Sequence, residues 1–167
     1  MYQTDEYVFL SCHLDSYDIA SGGVDCGAGV CVTMEAARLL ALSGAKPKRT
    51  IIFALWTGEE AGLLGSKHWV ENNPDKLDKI SNFFNRDYAP TVPTYIAVNE
   101  AMYEDFCKVC EGIGEINEEF PFQVIKNTRP PRPRPTTAGG SDHAYFAMNG
   151  VPTIGLGITD NKGYNFN

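Results

Sequence analysis

Apolar and polar positions along this chain fall into segments of two different periods. "YVFLSCH" at 7–13 is rich in β-branched and aromatic residues and predicts a strand. "RTIIFALW" at 49–56 is a continuous apolar run, as expected of a strand covered on both faces. Between them Val30, Met34, Ala37 and Ala41 recur at helical spacing, and Gly44 closes the run. Further helices are predicted from Leu63 to Asn73, stopped before Pro74, and over 100–113. "KISNFFN" at 79–85, "TYIAV" at 94–98 and "FQVIK" at 122–126 read as strands. Asp142 to Asn149 reads as a short helix and "PTIGLGI" at 152–158 as a last strand. Strand and helix alternate, which predicts an α/β fold, a three-layer α/β/α sandwich around a largely parallel, mixed central sheet. No internal repeat or interdomain linker is visible, so residues 1–167 read as a single domain.

Composition narrows the function. The chain has 167 residues, 43% of them hydrophobic, enough for a domain with a real core. No apolar run approaches the roughly 20 residues needed to span a bilayer, and "MYQTDEYVFL" does not read as a signal peptide. The formal charge of −7, from 14 basic and 21 acidic residues, argues against a nucleic-acid surface. One basic cluster, "RPPRPRP" at 129–135, reads as an extended, solvated loop, with a partner or anionic-substrate contact as the alternative. Cys12, Cys26, Cys31, Cys107 and Cys110 are odd in number, so one is unpaired within the chain. The C-x-x-C at 107–110 lies in a helical pattern without a second pair. That disfavours a zinc ribbon and leaves a local disulfide or two ordinary thiols.

In parallel sheets, ligands gather beyond the carboxyl ends of the strands. His13 ends the first strand, with Asp15 two residues on; Asp25 follows among the glycines of "SGGVDCGAG". Glu59 and Glu60 follow the second long strand, Asp87 ends "FNRD", and the late loop "AGGSDHAYF" adds Asp142 and His143. Singly, each has an ordinary reading as a turn residue, a cap or a first-turn acid. Converging carboxylates, however, repel and raise one another's pKa values, and dications resolve this. One imidazole with several carboxylates suits zinc, with manganese or cobalt as alternatives. A carboxylate can bridge two metals, and such a pair would hold a water and lower its pKa. A carboxylate left off the metals would then take the water's proton. Adjacent glutamates could divide those tasks.

Taken together, "HLDSYD", "GGVDCGAGV…MEAARLL", "RTIIFALWTGEEAGLLGS" and "FNRDY" resemble the M28 zinc peptidases. These co-catalytic metallopeptidases include bacterial aminopeptidases and glutamate carboxypeptidases. The short gap from His13 to Asp25 most resembles the carboxypeptidase Q branch. The resemblance covers nearly the whole chain and implies a zinc-exopeptidase-like fold holding two divalent metal ions, Zn2+. It implies that His13 and Asp87 bind one ion, Glu60 the other, and Asp25 both. Glu59 would be the general base, and Asp15 would orient His13 through its second ring nitrogen. Ser141, Asp142 and His143 resemble the loop that lines the substrate pocket; His68 reads as a helix-surface residue. In the family the peptide bond after the bridging Asp is often cis and the next residue often Asp or Asn; here it is Cys26.

The family's fifth ligand is a His beyond the strand matched by 152–158, and this chain ends at "DNKGYNFN". The family's leading strands and terminal helix are also absent. The expectation is therefore a catalytic domain truncated at both ends, one metal site incomplete, with weak metal binding and little or no activity of its own. The implied function is a zinc metallo-exopeptidase that hydrolyses peptide bonds near a chain terminus, as an aminopeptidase, dipeptidase or carboxypeptidase. A metal-bound hydroxide would attack, with peptide as the partner. The resemblance also implies that the parent protein is exported, to a periplasm or the outside. Two rivals keep the fold: a glutaminyl-cyclase-like acyltransferase with one zinc, and a non-catalytic binding domain. The set of His13, Asp25, Glu60 and Asp87, with its base, disfavours both.

Overall fold

In the computed structural model, which describes residues 4–87, 92–130 and 133–159, strand and helix alternate as expected. In chain order the elements are β1 (Tyr7–His13), α1 (Ala28–Leu42), β2 (Thr50–Trp56), α2 (Leu64–Asn72), α3 (Pro74–Leu77), β3 (Ile80–Asn85), β4 (Tyr95–Val98), α4 (Glu100–Val109), β5 (Gln123–Lys126), α5 (His143–Met148), β6 (Thr153–Ile154) and β7 (Leu156–Gly157). The closing "DNKGYNFN", on which the expected missing ligand turned, lies outside the described residues, as do 131–132 within the basic cluster.

The described residues form two compact units. The first, residues 4–87 and 134–154, contains a sheet of order β2-β1-β3-β6 in which every pairing is parallel. The second, residues 92–130, 133 and 155–159, contains a sheet of order β5-β4-β7, with β4 parallel to β5 and antiparallel to β7. The single last strand expected over 152–158 is corrected by this pairing. Thr153–Ile154 joins β3 and Leu156–Gly157 joins β4, with Gly155 breaking the run between them.

Two helix expectations also change. α2 ends at Asn72, but the chain resumes helix at Pro74, a first helical position where the missing N–H costs nothing. The helix expected over 100–113 stops at Val109; Asn99 caps its start, Oδ1 accepting from the Met102 N–H at 3.1 Å.

In the first unit the sheet is covered on both faces. Phe9 of β1 packs edge-on against Trp69 of α2 and tilted against Phe146 of α5, at centroid distances of 5.1 and 5.6 Å. Cys12, three residues on and on the opposite face, meets Thr33 of α1. The core joins Phe9, Trp56, Val70, Leu77, Ile80, Phe83, Phe146 and Val151. The helical spacing of Val30, Met34, Ala37 and Ala41 does yield α1, but the buried residues of α1 are Gly29 and Thr33, whereas Met34 is 59% exposed. The apolar residues of α1 lie on several sides, and small residues make its close approach. A Cβ at Gly29 would stand 2.4 Å from the Arg86 carbonyl oxygen. Glycine therefore lets the start of α1 press against the segment that carries Asp87.

Candidate metal centre

The sheet delivers its polar groups to one end, all within the first unit. β1 ends at His13, whose side chain is fully buried. Its Nε2 stands 2.8 Å from Asp25 Oδ1 and 3.0 Å from Asp87 Oδ1. Burial opposes a charge on the ring. The hydrogen bond and charge of Asp87, helped by Glu59 and Asp25, outweigh it and raise the His13 pKa to about 10. Without metal, His13 therefore carries a proton that two carboxylates share.

Asp15 meets the second ring nitrogen of His13 through its main chain. His13 Nδ1 donates to the main-chain oxygen of Asp15 at 2.9 Å, and the Asp15 carboxylate is 3.6 Å away. That carboxylate is turned to the next strand end, where its oxygens accept the N–H groups of Glu59 and Glu60 at 3.1 and 3.2 Å. One ring N–H makes one good bond, and the two amides that leave the end of β2 need an acceptor. So Asp15 orients His13 through its backbone and clamps the two glutamates through its side chain.

The glutamates are set by a sharp turn after β2, with Gly58 at φ +69°. Burial raises the Glu59 pKa to about 7; the charges of Asp87, Asp142 and Glu60 add to it, and His13 opposes them. Glu60 is also raised, by burial and by Asp25, against a hydrogen bond from the Tyr17 hydroxyl. Asp87 goes the other way. Burial would raise it, but hydrogen bonds from His13 and Ser141 hold it below the ordinary carboxylate value.

Asp25 sits in an irregular turn over Gly23–Gly27, and the Asp25–Cys26 peptide is cis although Cys26 departs from the family's usual Asp or Asn. The buried Cys26 thiol lies against the main-chain oxygens of Arg86 and Asp87. In the late loop, Ser141 and Asp142 are buried, at 5% and 0% exposure, and His143 is partly buried. Burial pushes the Asp142 pKa up to about 6, restrained by the neighbouring Ser66 hydroxyl and His13. His68 is exposed on α2, as expected.

The donor set fits divalent cations. Donor atoms of His13, Glu59 and Glu60 lie within 4.8 Å of one another, as do those of His13, Cys26 and Asp87. A ring nitrogen facing two carboxylates, in a pocket that holds its proton to about pH 10, presents the charge imbalance that a dication removes. The structure thus brings together His13, Asp15, Asp25, Glu59, Glu60 and Asp87. It adds Ser11, Asn85 and Cys26, which sequence reasoning missed. For Ser11 a signal existed: it lies two residues before His13 within β1, hence on the same face of the strand.

Comparison with known proteins agrees. The sequence model of peptidase family M28 matches residues 2–166. Carboxypeptidase Q of Mus musculus is 37% identical over 90 residues, 54% of this chain and 19% of that protein. A probable glutamate carboxypeptidase, LAMP1, of Arabidopsis thaliana is 32% identical over 171 residues, 97% of this chain and 24% of that protein. The chain thus spans about a fifth to a quarter of the length of these curated relatives. Among solved structures, a peptidase M28 precursor from Shewanella amazonensis aligns over 93% of this chain and 33% of its own, with 27% identity and a TM-score of 0.74. The zinc aminopeptidase BSAP of Bacillus subtilis aligns over 90% of this chain and 36% of its own, with 25% identity and a TM-score of 0.66.

Proposed function

Because this chain belongs to peptidase family M28, we propose that it forms the metal-binding core of a co-catalytic zinc exopeptidase that cleaves peptide bonds near a chain terminus. The observation that carries the reading is the convergence of Asp25 and Asp87 on one ring nitrogen of His13, at 2.8 and 3.0 Å. His13 and Asp87 would hold one ion, Glu60 the other, and Asp25 both. When bound, zinc supplies Lewis acidity, which acidifies a water and stabilises developing negative charge on the scissile carbonyl.

The remaining work falls to the protein. Glu59 takes the proton of the attacking water and returns it to the leaving amine. Burial, the largest influence on this carboxyl, favours its protonated form and so helps it to accept and hand back a proton. Asp15 keeps Glu59 and Glu60 in register by holding their N–H groups. Of the late-loop residues, Ser141 and Asp142 are buried and act through their neighbours, which leaves His143 to meet the peptide.

The test is hydrolysis of a dipeptide panel by the zinc-loaded protein, beside Glu59→Gln. Loss of general-base catalysis is expected to slow turnover by about 10²- to 10⁴-fold, with zinc stoichiometry unchanged. Turnover that survives in Glu59→Gln overturns the reading.

A further inference from the structure

We propose that Asn85 and Ser141 are positioning residues of the metal centre, a one-way hydrogen-bond relay that aims Asp87. The inference rests on the reading above, in which Asp87 holds a metal. Ser11 Oγ donates to Asn85 Oδ1 at 2.8 Å, and Asn85 Nδ2 donates to Ser141 Oγ at 2.7 Å. The Ser141 hydroxyl in turn lies beside the Asp87 carboxylate, close enough to help hold its pKa down.

The polarity of this chain follows from its last member. An ionised Asp87 only accepts, so Ser141 must donate to it. A serine hydroxyl has one hydrogen. Toward Asn85, therefore, Ser141 can only accept, and the group it meets must be the Asn85 amide NH2. The Asn85 carbonyl is then left facing Ser11, whose hydroxyl donates. The direction of each bond along the relay is thereby fixed. Ser11 and Ser141 are 1% and 5% exposed, so water does not compete for these bonds.

The relay joins three separated segments. Ser11 and Asn85 face each other as the last pair of the β1–β3 register; His13 lies two residues on in β1, and Asp87 two residues beyond the end of β3. Ser141 comes from the loop before α5. Asp87 is thereby held from two sides, by His13 Nε2 at 3.0 Å and by Ser141. A plain reading of Ser11, Asn85 and Ser141 as buried polar residues satisfying one another predicts effects on stability alone. The relay predicts an effect on metal affinity as well, in a fixed order along the chain.

The experiment measures the Zn2+ dissociation constant by competition with a chromophoric chelator, and the Co2+ absorption spectrum. The proteins are the parent, Ser141→Ala, Ser141→Thr, Asn85→Leu and the Asn85→Leu/Ser141→Ala double variant. Removing a group that orients a ligand typically costs about 10- to 100-fold in metal affinity, and that loss is expected for Ser141→Ala and Asn85→Leu, with a changed Co2+ spectrum. Ser141→Thr keeps the hydroxyl and should keep the affinity. The double variant should bind no more weakly than Ser141→Ala, because Asn85 acts through the hydroxyl already removed. Unchanged affinity in Ser141→Ala, or losses that add in the double variant, overturns the relay. Should Ser141→Ala not fold, Ser141→Cys replaces it, its thiol being a weaker donor; affinity equal to that of Ser141→Thr then overturns the relay. A parent protein that binds no zinc overturns instead the reading on which the relay rests.

Discussion

Without metal, this site holds protons in its place, and the fold is expected to weaken as they leave. The His13 pKa is raised from 6.5 to about 10, so folding favours the protonated ring. That contribution is fully present below pH 6.5 and is lost as the pH rises through about 10. At 1.36 kcal/mol for each tenfold change in proton affinity, it amounts to about 5 kcal/mol. Glu59, raised from 4.5 to about 7, and Asp142, raised from 3.8 to about 6, have the same sign. Asp87 has the opposite sign. Its depressed pKa contributes stability above 3.8 that is lost in acid. The metal-free protein should therefore be most stable on the acid side of neutrality and weaken toward pH 10. Even half of the His13 contribution is a large share of a total stability of about 5–15 kcal/mol. The assay is the urea midpoint in excess chelator, across the range from 6.5 to about 10. Saturating zinc takes the place of the proton, so the decline should vanish and apparent stability rise as proton competition fades. Asp87→Asn removes the largest support of the His13 charge and should flatten the metal-free curve. A metal-free protein whose stability stays level or climbs over this range refutes the argument.

Three further outcomes are expected. Asp15→Asn turns an NH2 group toward the Glu59 and Glu60 amides and loses a bond to a charged acceptor, worth about 1.5–3 kcal/mol; zinc affinity, measured by chelator competition, should fall at least tenfold, and an unchanged affinity would contradict the clamp. Gly29→Ala places a Cβ 2.4 Å from the Arg86 oxygen and 2.5 Å from Cys26 Sγ, which should destabilise the fold by about 1–3 kcal/mol and weaken zinc binding; a neutral result would mean that α1 does not press on the Asp87 segment. Phe146→Ala removes a fully buried ring whose centroid lies 4.1–5.8 Å from those of Phe9, Trp56, Trp69 and Phe83, at a cost of about 3–5 kcal/mol in chemical denaturation; a loss below about 1 kcal/mol would contradict the packing.

The strands around the site were legible because their signal is local. β1 and β2 match the expected 7–13 and 49–56 to within a residue, since long apolar or β-branched runs bounded by turn residues leave little choice. The strand-end acids were legible for the same reason: a charge that ends an apolar run stands out. What the sequence hid depends on neighbours. "PTIGLGI" has the composition of one strand, but pairing is a tertiary property, and its two halves found different partners. The burial of α1 was hidden because apolar residues surround much of the helix, so its spacing names no single face. The role of the Asp15 carboxylate was hidden because its partners, the Glu59 and Glu60 amides, are 44 and 45 residues away.

The rungs of β1 and β3 join the fold to the site. Side chains two residues apart on a strand point the same way, so one face of the pair rises in steps. Phe9 faces Phe83 in register, their ring centroids 5.5 Å apart in the aromatic core. The next step is Ser11 and Asn85, bonded at 2.8 Å. The last is His13 and Asp87, at 3.0 Å. A buried polar layer between core and site is costly unless its groups satisfy one another, and here they do. That layer has a mechanical consequence. His13 and Asp87 cannot slide past each other without breaking the bonds beneath them, and those bonds rest in turn on packed aromatic rings. The ordering of His13 and Asp87 is thus set by the folded sheet itself. Loosening this middle step should weaken metal binding even where the ligands themselves are untouched.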